Sequence, residues 1–68
     1  MLVRIINVHI GNKIHKVPVR HKSDPLSIAR TKVQTILTKG FKYNSGQIEV
    51  WIPTHMIKKV TIGKETEE

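Results

Sequence analysis

The sequence predicts an α+β fold: an antiparallel sheet of four strands, or five, with one helix packed on one face, in the order β-β-α-β-β. Three observations lead there. Only Ser23–Phe41 repeats its apolar residues at helical spacing. Elsewhere the apolar residues are largely β-branched and alternate with polar ones, the period of a half-buried strand. Gly11-Asn12 and Asn44-Ser45-Gly46 divide that material into two hairpins, one on each side of the helix.

Leu2–Ile10 and Lys13–His21 make the first hairpin, because Gly-Asn suits a two-residue loop whose first central residue needs positive φ. That register sets Ile10 against Lys13, Val8 against His15, Ile6 against Val17 and Arg4 against Val19, and with Leu2 this is the face expected to meet the helix. The reverse face carries Val3, Ile5, Asn7 and His9 opposite Arg20, Pro18, Lys16 and Ile14. Pro18 has no N–H to offer an outer neighbour, so the second strand is expected at an edge. In the helix, Asp24 is the cap, Pro25 takes the first position, where a missing N–H costs nothing, and Gly40 is the stop. Leu26, Ala29, Val33, Ile36 and Leu37 form its apolar stripe, with Lys32, Thr35 and Lys39 on the opposite side and Ile28 almost opposite the stripe.

Phe41–Tyr43 and Gln47–Ile52 flank the second turn. Pro53-Thr54 interrupts the pattern, and Met56–Ile62 resumes it with Lys58, Val60 and Ile62 pointing one way and Ile57, Lys59 and Thr61 the other. Residues 1–62 read as one small domain and 63–68 as a disordered acidic tail. At 68 residues the chain is near the lower limit for folding without staples, and it has no cysteine to supply one. The absence of thiols fits a reducing compartment. No apolar run reaches the roughly 18–20 residues of a membrane span, and the alternating Met1–Ile10 resembles a strand more than a leader peptide. A soluble, cytoplasmic protein is the expectation.

The formal charge is +7, and its distribution says more than its total. Setting aside Lys64–Glu68, with one Lys and three Glu, leaves eleven basic residues against two acidic ones, Asp24 and Glu49. Asp24 is already committed to the helix cap. A surface shaped for solubility mixes signs. A surface so one-sided attracts polyanions and gains from counterion release when it neutralises phosphates. The sequence therefore points to a small nucleic-acid-binding protein that contacts the DNA or RNA backbone with little sequence preference. Lys16, Arg20, Lys22, Lys32, Lys39, Lys58 and Lys59 are the candidate contacts. The acidic tail is a candidate competitor for that surface.

Other chemistries find little support. His9, His15 and His21 recur every six residues, but the hairpin register sends His9 to one face and the other two to the opposite face, roughly 20 Å apart at the strand rise. No paired metal-ligand motif occurs, and scattered, solvated histidines are expected. No catalytic motif is present, and two carboxylates give no acid/base pair. An enzyme, a cofactor and a small-molecule substrate are not expected. Phe41, Tyr43 and Trp51 are the only aromatics, and gap-filling at the sheet–helix boundary is their expected role. Outward-facing Ile5, Ile14, Ile28 and Ile57 point to a homodimer. The alternative function is a protein-interaction module, a small inhibitor, regulator or assembly subunit that docks through an edge strand.

Overall fold

Gly11, at φ +57°, turns the chain between β1 (Leu2–Ile10) and β2 (Lys13–His21), and the two strands pair antiparallel in the predicted register from Leu2–His21 to Ile10–Lys13. The computed structural model describes residues 1–68. Beyond this hairpin come α1 (Pro25–Lys39), β3 (Phe41–Ser45), β4 (Ile48–Ile52), a 3-10 turn (Thr54–Met56), β5 (Ile57–Ile62) and β6 (Thr66–Glu67). The α+β class holds, but the strands form two sheets. In the main sheet β1 is central, with β2 on one side and β5 then β6 on the other, while β3 and β4 pair only with each other. β2 is an edge, as Pro18 requires.

The helix begins as its sequence dictates: the Ser27 N–H donates to Asp24 Oδ1 at 3.1 Å, and Pro25 occupies the first turn. At the other end the Gly40 N–H donates to the Ile36 carbonyl at 2.9 Å. The helix lies on the face of the main sheet that carries Ile6, Val8 and Val19, which bury with Ala29, Ile36 and Phe41. Its roll differs from the expected one. Ala29 and Ile36 form the centre of the buried arc, Ile28 packs on the flank instead of facing solvent, and Leu37 leaves the stripe to stand 54% exposed. The same roll brings Lys32 and Lys39 from the expected far side to the border with β3.

Three further differences have local causes. The second turn is shorter than expected: Ser45 pairs with Ile48, so Gly46-Gln47 is a two-residue loop in place of Asn44-Ser45-Gly46, with Gly46 at φ +65° supplying its first central residue. In β5, Ile57 opposes Ile10 and Lys59 opposes His9, leaving Lys58 as an extra, bulged residue. The bulge cancels one step of alternation, so Ile57 packs on the core together with Val60 and Ile62 instead of facing away from them. Finally, Gly63–Glu68 is not a frayed tail. The Gly63 N–H donates to the Ile5 carbonyl at 2.8 Å, Thr66 and Glu67 pair with Val3 and Leu2, and the Glu68 N–H donates to the Met1 carbonyl at 2.8 Å. After β5 the chain simply continues along the open edge of β1, where unpaired backbone groups offer it a ladder. No helix is long and apolar enough to cross a membrane.

Candidate functional site

On the face of the main sheet turned away from the helix Val3 is buried at one end while Ile5 and Ile14 are exposed, and the remaining side chains follow from the register. One row across it runs Ile14–His9–Lys59, and the next runs Lys16–Asn7–Thr61. At the turn end of this face His9, Asn12, Lys13, Ile14, Lys58 and Lys59 line a shallow depression of about 330 Å3, and no carboxylate contributes to it. The bulge in β5 is what makes the arrangement possible. In a regular strand Lys58 and Lys59 point to opposite faces; here both border the same depression. Thr61 Oγ1 lies 3.5 Å from His9 Nε2 at its margin.

Three ammonium groups, those of Lys13, Lys58 and Lys59, thus border this depression, and Lys16 stands in the next row of the same face. Without compensating acids they repel one another, and a polyanion relieves that repulsion. Of the twelve Lys and Arg side chains only Arg20 and Lys42 make salt bridges. Arg20 Nε meets Glu68 Oε2 at 2.6 Å at the far end of the sheet. That hydrogen bond, and the charge behind it, hold the Glu68 carboxyl below the usual carboxylate range and raise Arg20. Lys42 Nζ meets Glu49 Oε1 at 3.1 Å and stands over the Trp51 ring.

The seven candidate contacts are therefore not one site. Lys58 and Lys59 come together, with Lys16 one row further along the same face. Arg20 is engaged by Glu68, and Lys22 lies in the connection after β2 near Arg20, seven or more residues and so roughly 23 Å or more along the sheet from Lys13. Lys32 and Lys39 belong to the opposite layer, on a separate groove between α1 and β3. Lys13 was missed. Its position after the turn hid it, although the hairpin register combined with the Lys58-Lys59 pair on the neighbouring strand marks the same end of the sheet.

The histidines are not simply solvated. His15, on the helix side, packs 4.6 Å from the Tyr43 ring and 5.7 Å from Phe41, centroid to centroid. His21 Nδ1 accepts from the Ser23 and Asp24 N–H groups at 3.1 and 2.9 Å and so shapes the entry to the helix. Nor do all three aromatics fill gaps: Phe41 is buried and Tyr43 half-buried, but Trp51 is 66% exposed. No protein-family model, curated protein or solved structure matches the chain.

Proposed function

We propose that this is a small nucleic-acid-binding protein that contacts the DNA or RNA phosphate backbone with little sequence preference, through the turn end of its open sheet face. The observation that carries this reading is the convergence of Lys13, Lys58 and Lys59, with His9 and Asn12, on one depression free of carboxylates. Lysines there act as point charges on phosphates, while the open face presents no Arg–Asn pairing of the kind that reads base edges. The role is binding in a reducing, cytoplasmic setting, without catalysis or cofactor.

Salt dependence tests it. Four phosphate contacts by Lys13, Lys16, Lys58 and Lys59 give a slope of log affinity against log salt of about −3 to −4 on duplex DNA. Replacing both Lys58 and Lys59 by Gln is expected to flatten that slope by about 2. Duplex binding that ignores salt, or the double substitution, would sink the proposal.

A second reading, a module that docks a partner protein at the free outer edge of β4, draws on the exposure of Ile48 and Trp51 on that strand. It is distinguished by recovery of one partner after nuclease treatment. A homodimer retains support only from Ile5 and Ile14, since Ile28 and Ile57 pack on the core.

A further inference from the structure

The second basic surface differs in kind from the first. Between α1 and β3 runs a groove of about 390 Å3, lined by Val17, Ile36 and Phe41 and by Lys32, Lys39 and Trp51. Ile36 and Phe41 are buried, so they form its base, and the exposed Lys32, Lys39 and Trp51 form its rim. The groove thus combines an apolar floor, a wide aromatic wall and free ammonium groups. No carboxylate lines it.

Trp51 stands out because only eight residues of this chain are buried, yet its largest side chain stays two-thirds in water. The indole has a cationic neighbour. Lys42 Nζ sits 5.2 Å from its centroid, and Glu49 meets Lys42 in the 3.1 Å ion pair. That ion pair is half exposed and weak, so it biases the ring's orientation without locking it. It also leaves the Glu49 charge already neutralised beside the groove.

We propose that this groove takes an unpaired base of a single-stranded nucleic acid, stacked on Trp51, with the flanking phosphates on Lys32 and Lys39. The proposal rests on a nucleic acid being the ligand, and it adds a selection for single strands. Base–aromatic stacking beside backbone cations is how sequence-tolerant single-strand binding works. A base within a duplex is already stacked and paired, and would have to be flipped out to enter. The groove is at the small end of ligand sites, a size for one base and its sugar.

Trp51 is the sole tryptophan, so its emission reports on this groove alone. A short oligothymidylate at low salt is expected to quench it, whereas a duplex of the same length binds without quenching. Trp51→Ala is expected to weaken oligothymidylate binding about tenfold or more and to leave duplex binding unchanged, with Trp51→Phe restoring much of the loss. Circular dichroism and urea unfolding check that both variants fold, as the exposure of this side chain leads one to expect. Equal quenching by the duplex, or oligothymidylate binding that neither quenches Trp51 nor responds to Trp51→Ala, overturns the groove proposal and leaves the sheet-face reading standing. Failure of both oligothymidylate and duplex to bind overturns both. Quenching that persists while the Lys58→Gln, Lys59→Gln variant binds duplex normally keeps the groove and removes the sheet-face site.

Discussion

At Gly40 the chain leaves α1 with φ +94° and passes so close to β4 that an added Cβ would stand 2.5 Å from the Ile52 carbonyl oxygen. Gly11 also has positive φ, +57°, but nothing lies within 4 Å of where its Cβ would be. The two positions separate backbone strain from steric exclusion. Gly11→Ala is expected to cost about 1 kcal/mol, the penalty for a left-handed residue with a side chain. Gly40→Ala carries strain of about 1–3 kcal/mol, and the Ile52 peptide must move in addition. Urea midpoints at constant m give the comparison, and equal losses at the two sites would show that the close approach is not a constraint. Gly40 directly precedes Phe41, which lines the base of the groove.

At the level of single elements, β6 shows how a local charge supports a strand only two residues long. Arg20 lowers the Glu68 carboxyl, so the carboxylate is favoured in the folded chain. The sign follows: this contribution is present above the ordinary glutamate range and is lost as pH falls through the depressed value. Both groups are exposed, so the effect is local. Carbon-13 titration of Glu68 is expected to show a midpoint below the ordinary range that returns to it in Arg20→Gln, with the Thr66 and Glu67 amide shifts following the same titration. An unchanged midpoint in Arg20→Gln removes the pairing as the cause. Legibility from the sequence also divides by element. The first hairpin and the helix ends could be read because Gly11-Asn12, Asp24-Pro25 and Gly40 each fix backbone geometry locally. The bulge at Lys58, the roll that exposes Leu37 and the return of Thr66–Glu67 to β1 depend on what the neighbouring element offers, and no spacing in the chain encodes them. The site divides in the same way. A surplus of lysine was visible, but the sorting of Lys58 and Lys59 onto one side needed the bulge.

Across the whole molecule, the apolar core lies between the main sheet and the helix layer, and basic groups stand on both outer sides. The main sheet buries Ile6 and Val8 completely on one side and gathers lysines on the other, while the helix and the second hairpin share the remaining layer. That second hairpin has a consequence of its own. None of the backbone bonds outside helices and strands ties β3 or β4 to the main sheet. What holds the pair in place is side-chain packing, with Tyr43 against His15 and Phe41 in the core, and a two-stranded ribbon alone is marginal in water. It should therefore detach as a unit before the rest melts. In native-state hydrogen exchange its amides are expected to open at a lower free energy than those of Ile6 and Val8, and a single hierarchy-free opening would exclude this. The protein would then carry a tethered flap bearing its sole tryptophan, and a ligand seated beneath it would slow the flap's breathing.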